Sequence, residues 1–162
     1  MKYNSEEYID LLKYQQKLKK ENKSFKTQDP VKYLKLKNYS ARFTEDLHWF
    51  QRNEYLKLIE DFLNSKIDGK EFDSKFSEMV RFIEKKSNLL SKNYEALKRI
   101  ELSSRSLGFG TWISEIYLCC NEFYPDFNEE SDRTDIPFGK NEDQLRNAIN
   151  SLFPEIQKYF KI

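Results

Sequence analysis

The sequence predicts an all-α protein, an antiparallel four-helix bundle core with an additional helical, basic N-terminal segment. Three observations predict this fold class. Apolar residues recur three and four positions apart along several stretches, no stretch alternates with the period of two that marks a half-buried strand, and clusters of Gly, Pro, Asn and Asp separate the stretches. With 162 residues, the chain is long enough to bury a core without disulfides or metal ions.

Residues 1–45 are predicted to form a basic helical N-terminal arm. Ser5 can cap a first helix, and Pro30, which follows an Asp that can act as a cap, can open a short second helix carrying Val31 and Leu34. The first 42 residues contain 11 Lys or Arg against 5 Asp or Glu. Because this segment is basic and weakly apolar, we expect it to lie outside the main core.

Residues 46–162 are predicted to form the helical bundle domain, and their clearest feature is a helical hairpin. In "YLKLIEDFLNSKIDGKEFDSKF", residues 55–76, helical apolar spacing stops at Asp68 and then resumes. Asp68, with a Glu three residues later, fits a capping box, and Ile67 and Phe72 stand where a hydrophobic staple would place them. The pattern therefore predicts two antiparallel helices joined by a short turn.

The rest of the bundle domain is predicted from three further stretches. The chain continues helically to Ile100 and turns at the two glycines of "SSRSLGFG"; the apolar run "TWISEIYLCC" that follows favours a buried helix over a buried strand. Pro, Gly, Asn and Asp mark residues 125–140 as a loop. Asn141 can cap a last helix, with Gln144 three residues later, and Pro154 is expected to kink or restart that helix.

Residue types that support catalysis or metal binding are sparse. His48 is the single histidine, and without a CxxC or HExxH motif it is interpreted as an ordinary surface or interface residue. Cys119 and Cys120 are sequence neighbours that rarely pair, so we expect reduced thiols packed in the core. The "GFG" at 108–110 lacks the further residues of a phosphate loop and predicts only a turn. We therefore expect no cofactor, no metal site and no enzymatic activity.

The compartment is predicted from features that the chain lacks. Its amino terminus has no apolar run of the secretory type, and no stretch approaches the roughly 20 apolar residues that span a bilayer. Reduced cysteines are typical of a cytosol-like compartment. These features predict a protein of the cytoplasm, or of an organellar stroma or matrix, that is not secreted.

Two charged regions remain as candidate binding surfaces, although the net charge of the chain is only +1. Aromatic residues are interspersed among the lysines of the N-terminal arm, a composition that can bind RNA but that a solvated helix face also explains. Residues 122–143 contain eight acidic residues against two basic ones, which can attract a basic partner or simply form a solvated loop. The candidate docking residues of the arm are Lys13, Lys17, Lys19, Lys20, Lys23, Lys26, Tyr33 and Lys35.

Two stretches resemble the bacterial self-protective colicin-like immunity protein family, of the colicin D type. The first is "YLKLIEDFLNSKIDGKEFDSKFSEM", an apolar helix ending in Phe-Leu, a short turn and a helix begun by Glu-Phe. The second is "CNEFYPDFNEESDRTD" followed by "EDQLRNAINSL", an aromatic-Pro-Asp step, an acidic loop and a Leu-Arg that opens the last helix. Together they cover about residues 53–153.

The resemblance implies a non-enzymatic four-helix bundle that blocks a basic toxin or nuclease partner through acidic surface. An alternative hypothesis is an accessory or structural subunit of a larger protein or ribonucleoprotein assembly, including an organellar one, that docks through the N-terminal arm. Direct nucleic-acid binding ranks below protein binding. On the immunity hypothesis, the partner-binding residues are Glu122, Tyr124, Asp126, Phe127, Glu129, Glu130, Asp132 and Asp135.

Overall fold

The computed structural model describes residues 3–160, and this part of the chain is all-α, as predicted. It contains nine α-helices, one short 3-10 helix at Ser104–Ser106 and no strand within the described range, and none of its helices is both long and apolar enough to cross a membrane. The helices are α1 (Ser5–Lys20), α2 (Phe25–Gln28), α3 (Pro30–Phe50), α4 (Arg52–Leu63), α5 (Gly69–Leu90), α6 (Tyr94–Lys98), α7 (Phe109–Asn121), α8 (Glu129–Asp132) and α9 (Glu142–Gln157).

The main core lies between four helices, α4, α5, α7 and α9. Each of these helices packs against the next, and α9 packs against α4, so that the four enclose one cluster of apolar side chains. Phe62, Phe76, Phe109 and Ile149 in this cluster are fully buried. The arrangement is consistent with the predicted helical bundle, and the apolar run of α7 is the buried helix expected there.

The predicted hairpin is formed by α4 and α5. The Asp68 side chain accepts a hydrogen bond from the backbone N–H of Glu71 at 2.8 Å, which is one half of the predicted capping box. Ile67 packs against the main core next to the hairpin. The rings of Phe62 and Phe72 stack with their centroids 4.3 Å apart, which joins the two helices near their connecting turn.

The head of the chain forms a second apolar cluster of its own. Tyr8 of α1 packs against Tyr39 and Phe43 of α3, with ring centroids about 6 Å apart, and Ile83 of α5 and Leu97 of α6 complete the cluster. All five side chains are almost completely buried. The head therefore lies outside the main core, as expected, but it is packed against the bundle.

The second helix of the head differs from its prediction. In place of a short helix, α3 runs for 21 residues and continues without interruption past residue 45, the predicted domain boundary. Val31 and Leu34, the apolar residues that suggested it, are 77% and 62% exposed. The inner face of α3 is instead defined by Leu36, Tyr39, Phe43 and Leu47, which recur every three or four residues.

Three other predictions on helix ends are corrected. Asn4 and not Ser5 caps α1, accepting a hydrogen bond from the Glu7 N–H at 3.1 Å. The chain does not continue helically from α5 to Ile100, because α5 ends at Leu90 and Asn93 caps the separate five-residue α6, accepting from the Ala96 N–H at 3.0 Å. Pro154 does not restart the last helix, since α9 runs on through it to Gln157. Asn141 and Gln144 form the predicted capping box of α9.

The turn before α7 is held by two acidic residues of α3. Gly108 has a φ of +86°, which favours glycine, and its N–H donates to the Glu45 carboxylate at 2.6 Å. The Asp46 carboxylate is 1% exposed and accepts hydrogen bonds from the Ser103 N–H at 2.9 Å and the Ser106 hydroxyl at 2.6 Å. A buried carboxylate needs such donors, so these contacts fix the end of α3 against the turn.

Candidate partner-binding surface

The acidic segment, residues 122–143, connects α7 to α9, and its two ends are held together. The Tyr124 N–H donates to the Lys140 carbonyl at 2.8 Å, and the Lys140 N–H donates to the Glu122 carbonyl at 2.7 Å. These bonds form a parallel bridge between Phe123 and Lys140. The Lys140 ammonium also pairs with the Glu122 carboxylate. Lys140, one of the two basic residues here, therefore closes the base of the segment.

Phe127 fills the interior of the acidic segment. Its side chain is 6% exposed, and the Arg133 guanidinium lies over its ring, 4.9 Å from the centroid. Arg133 also donates to the Pro137 carbonyl at 2.9 Å, and a Cβ on Gly139 would come within 2.6 Å of the Phe127 ring. Phe127 was predicted to contact the partner, but in this structure it is packed inside the segment and shapes it.

Asp132 also contributes to the shape of the segment. Its carboxylate accepts a hydrogen bond from the Asn128 N–H at 2.8 Å and another from the Ser131 hydroxyl at 2.8 Å. These bonds, chiefly the one from the Asn128 backbone, lower the pKa of Asp132. The ionised carboxylate therefore stabilises the turn around α8.

Glu129 is likewise engaged within the protein. Its carboxylate pairs with Arg133 at 2.9 Å and accepts a hydrogen bond from the Gln144 side chain at 3.1 Å. Gln144 is part of the α9 cap, so Glu129 ties α8 to the start of the last helix. The side chain of Glu129 is nevertheless 64% exposed, which leaves part of its carboxylate facing solvent.

The hairpin of α4 and α5 supports the far end of the acidic segment. The Gly69 N–H donates to the Glu142 carboxylate at 3.0 Å, and Arg146 pairs with the same carboxylate at 2.7 Å. The Arg146 guanidinium lies over the Phe62 ring, 4.2 Å from its centroid, and donates to the Phe62 carbonyl. A Cβ on Gly69 would lie 2.8 Å from the Phe123 ring. The hairpin and the segment are therefore in direct contact.

Four acidic residues of the segment are exposed and have no Lys or Arg within 4 Å among residues 3–160. They include three predicted contact residues and one residue at the start of α9, which the sequence did not single out as a contact. Charged groups that are not paired within a protein can interact with a partner without breaking internal contacts. These free acids are Asp126, Glu130, Asp135 and Asp143.

Two aromatic side chains of the segment are exposed. Tyr124 is 43% exposed, as expected for a contact residue. Phe138 is 72% exposed and lies in a turn that is closed by a hydrogen bond of 3.0 Å from the Gly139 N–H to the Ile136 carbonyl. Sequence reasoning missed Phe138 because Pro137 and Gly139 beside it indicated only a loop. An aromatic residue between two turn-forming residues was the available signal, since a turn can present it to solvent.

Four of the eight predicted docking residues of the N-terminal arm are engaged in internal contacts. Lys23 pairs with Glu21 at 2.7 Å, the Lys13 ammonium lies 5.6 Å from the Tyr94 ring centroid, and Lys35 pairs with Glu7. These contacts are supplemented by aromatic packing: Tyr33 and Tyr14 each meet Phe25 edge to face. The aromatic residues of the arm therefore pack against one another and offer little free face for stacking with a nucleic-acid base.

Four predicted lysines of the arm, Lys17, Lys19, Lys20 and Lys26, are exposed without an acidic partner among the described residues. Two of them, with Lys23 and Lys92, line a groove of about 710 Å³ between the arm and the end of α5. No acidic residue lines this groove. The arm therefore retains one locally basic groove, which can attract an anionic surface.

His48 differs from its prediction, because it is buried and not at the surface. Its side chain is 6% exposed, and its Nδ1 lies 2.9 Å from the Tyr55 hydroxyl, with which it shares a hydrogen bond. Burial lowers the pKa of His48 to about 4, so the ring is neutral at pH 7. No group of three or more His, Cys, Asp or Glu residues that could hold a metal ion is found within residues 3–160.

The two cysteines are packed as expected. Cys120 is buried in the main core, Cys119 is half-buried, and both thiols are free. Burial raises the pKa of both thiols. The thiolate is the reactive form of cysteine, so a raised pKa disfavours a nucleophilic role for either residue.

The fold and the surface together define an all-α protein with a structured acidic segment that exposes free carboxylates and two aromatic rings. No family model matches this sequence, and neither does any curated protein or solved structure.

Proposed function

We propose that this protein is a non-enzymatic binding protein that blocks a basic protein partner through the acidic segment. The resemblance to colicin-like immunity proteins suggests that the partner is a toxin or nuclease domain. The observation that carries the proposal is that the acidic residues of the segment fall into two groups. Some hold the shape of the segment through internal hydrogen bonds and ion pairs, while others remain exposed without an ion pair among the described residues: Asp126, Glu130, Asp135 and Asp143.

A fixed shape favours tight binding because little conformational entropy remains to be lost when the partner docks. The closed base at Lys140 and the buried Phe127 provide this rigidity. The free carboxylates would accelerate encounter with a basic surface and orient it. The exposed rings of Tyr124 and Phe138 can supply the apolar contact area on which affinity usually depends.

The experiment compares the wild type with two variants of equal net charge. The first variant neutralises three free acids of the segment: Asp126→Asn, Glu130→Gln and Asp135→Asn. The control neutralises three exposed acids outside the segment that have no ion pair among the described residues: Glu54→Gln, Glu78→Gln and Glu101→Gln. Each protein is used as bait in affinity purification from its native source, and bound proteins are identified by mass spectrometry.

The proposal predicts that the wild type and the control retain one stable, basic partner, and that the segment variant loses it. The captured partner is then assayed for nuclease or other toxic activity, which the wild type should inhibit. Recovery of the same partner with all three baits would contradict the proposal.

A second candidate function is an accessory subunit that docks through the N-terminal arm, and the observation that favours it is the lysine-lined groove. Deletion of residues 1–42 is not a suitable test, because it would remove the buried Tyr8 and Tyr39 and expose the rest of the second apolar cluster. Charge reversal of Lys19, Lys23 and Lys26 to Glu is the better variant, since all three side chains are exposed. This function predicts that the reversal abolishes co-purification with a multisubunit complex.

A further inference from the structure

A second groove lies between α1, α3, α5 and α7. It adjoins the lysine-lined groove, with which it shares Leu12, Gln15 and Ser91, and it lies away from the acidic segment. Its volume is about 870 Å³, within the range of pockets that hold small molecules. The buried side chains of Tyr8, Val80 and Ile113 contribute apolar surface to its wall. The groove is therefore large enough for a ligand and has an apolar face on which one could rest.

The polar groups of this groove are mostly neutral. Nine of its 21 lining residues are Ser, Thr, Asn or Gln, which both donate and accept hydrogen bonds. The lining has two basic and two acidic residues. Arg42 pairs with Glu45 at 3.2 Å, and Lys37 and Glu84 are exposed. With no net charge in its lining, the groove favours neither an anion nor a cation.

His48 gives the groove an unpartnered polar atom. The side chain is 94% buried, and only Nδ1 is engaged, in the hydrogen bond with Tyr55. Nε2 has no hydrogen-bond partner among the described residues and is not fully shielded from solvent, and His48 is one of the residues that line the groove. Buried polar groups are almost always hydrogen-bonded, so a free imidazole nitrogen at a groove wall points to a ligand or to ordered water.

We propose that this groove binds a neutral, hydroxyl-rich small molecule, a sugar or a ribonucleoside, and that His48 Nε2 makes one of its hydrogen bonds. The hydroxyl and amide groups of the lining match the alternating donors and acceptors of a diol. The half-buried Tyr117 offers an aromatic ring beside them, which suits the apolar face of a sugar or the face of a base. The neutral state of His48 at pH 7 agrees with a neutral ligand.

The test is an NMR titration of the full chain in which the imidazole nitrogens of His48 are observed directly. Maltose and adenosine are added separately at millimolar concentration, and inorganic phosphate serves as the anionic comparison. We expect a saturable shift of His48 Nε2 with one of the two neutral probes and none with phosphate. Maltose binding would assign the site to sugars, and adenosine binding would assign it to ribonucleosides.

Two groove-filling variants and one control complete the test. Ser114→Trp and Gln15→Trp place a large side chain in the groove from exposed positions on α7 and α1. Asn150→Trp adds the same side chain at an exposed position of α9 outside the groove. Both groove variants should abolish the shift and the control should keep it. The proposal is overturned if neither neutral probe shifts His48, if phosphate alone does so, or if the shift survives in a folded groove variant.

Discussion

Gly69 and Glu142 lie 73 residues apart in sequence and are joined by a hydrogen bond of 3.0 Å from the backbone N–H of Gly69 to the Glu142 carboxylate. Gly69 is the first residue of α5, so this bond satisfies one of the free N–H groups at a helix start and places a negative charge there. Through Arg146, the same carboxylate is connected to the end of α4. The hairpin is therefore the support of the acidic segment and not part of its exposed surface.

The first prediction concerns this connection. Glu142→Ala removes both the hydrogen bond from Gly69 and the ion pair with Arg146, and it should lower the free energy of unfolding by about 1–2 kcal/mol. The matched control is Asp143→Ala, at the exposed neighbouring position that has no ion pair within residues 3–160, where we expect a change within about 0.5 kcal/mol. Urea denaturation of both variants provides the measurement. Equal stability of the two would show that the connection contributes nothing.

The second prediction separates two phenylalanines of the acidic segment. Phe127 is buried, so Phe127→Ala should destabilise the protein by about 3 kcal/mol through the cavity that it leaves. Phe138 is 72% exposed, so Phe138→Ala should leave the stability within about 0.5 kcal/mol and instead weaken partner binding. Thermal unfolding and binding are measured for both variants. A large loss of stability in Phe138→Ala would contradict the assignment of that ring to the surface.

The third prediction concerns the pH dependence of stability. The pKa of His48 is lowered to about 4 in the folded protein by burial, from 6.5, so the unfolded chain binds more protons between these values. The neutral ring therefore contributes fully to the free energy of unfolding above pH 6.5, and this contribution is lost as the pH falls toward 4. A difference of 2.5 pKa units corresponds to about 3 kcal/mol.

This pH dependence is isolated by comparison with His48→Gln, which cannot titrate. Both proteins share Glu45, Glu84 and all other carboxyl groups, whose titration cancels in the difference between their free energies of unfolding. We expect the stability of the wild type to fall relative to that of the variant between pH 6.5 and 4, and the difference to stay constant above pH 7. A difference that does not change with pH would contradict the lowered pKa of His48.

The hairpin and the acidic character of residues 122–143 could be predicted from the sequence because both depend on local signals. The apolar spacing of Phe72, Phe76 and Val80 is that of a helix face, and the Asp68 cap marks where the second helix of the hairpin begins. Charge is likewise a local property of the segment. The class of fold follows from these patterns without any knowledge of long-range contacts.

The roles of the individual acids could not be predicted, because each depends on a partner that the fold brings from elsewhere. From the sequence, Glu142 was only one of the eight acidic residues in residues 122–143, and its contacts with Gly69 and Arg146 are formed only in the fold. His48 was interpreted as an ordinary surface or interface residue, and its burial and its contact with Tyr55 are visible only in the fold. The extent of α3 was missed because its inner residues are separated by Lys, Asn and Ser, which weaken the apolar pattern.

The fourth prediction concerns the salt dependence of binding. If the free carboxylates attract a basic partner, affinity should fall as salt is raised from low to physiological concentration, mainly through a slower association rate. The variant Asp126→Asn, Glu130→Gln, Asp135→Asn should show a much weaker dependence. The control Glu54→Gln, Glu78→Gln, Glu101→Gln should behave as the wild type does. Surface plasmon resonance with the captured partner measures these rates.

Binding of the partner by the acidic segment is tested most sharply by measuring the affinity of these three proteins for the purified partner at one physiological salt concentration. Because the two variants carry the same net charge, any difference between them reports the position of the acids and not their number. We expect the segment variant to bind at least about tenfold more weakly than the wild type, and the affinity of the control to be unchanged. Equal affinity of all three proteins would contradict the assignment of partner binding to the acidic segment.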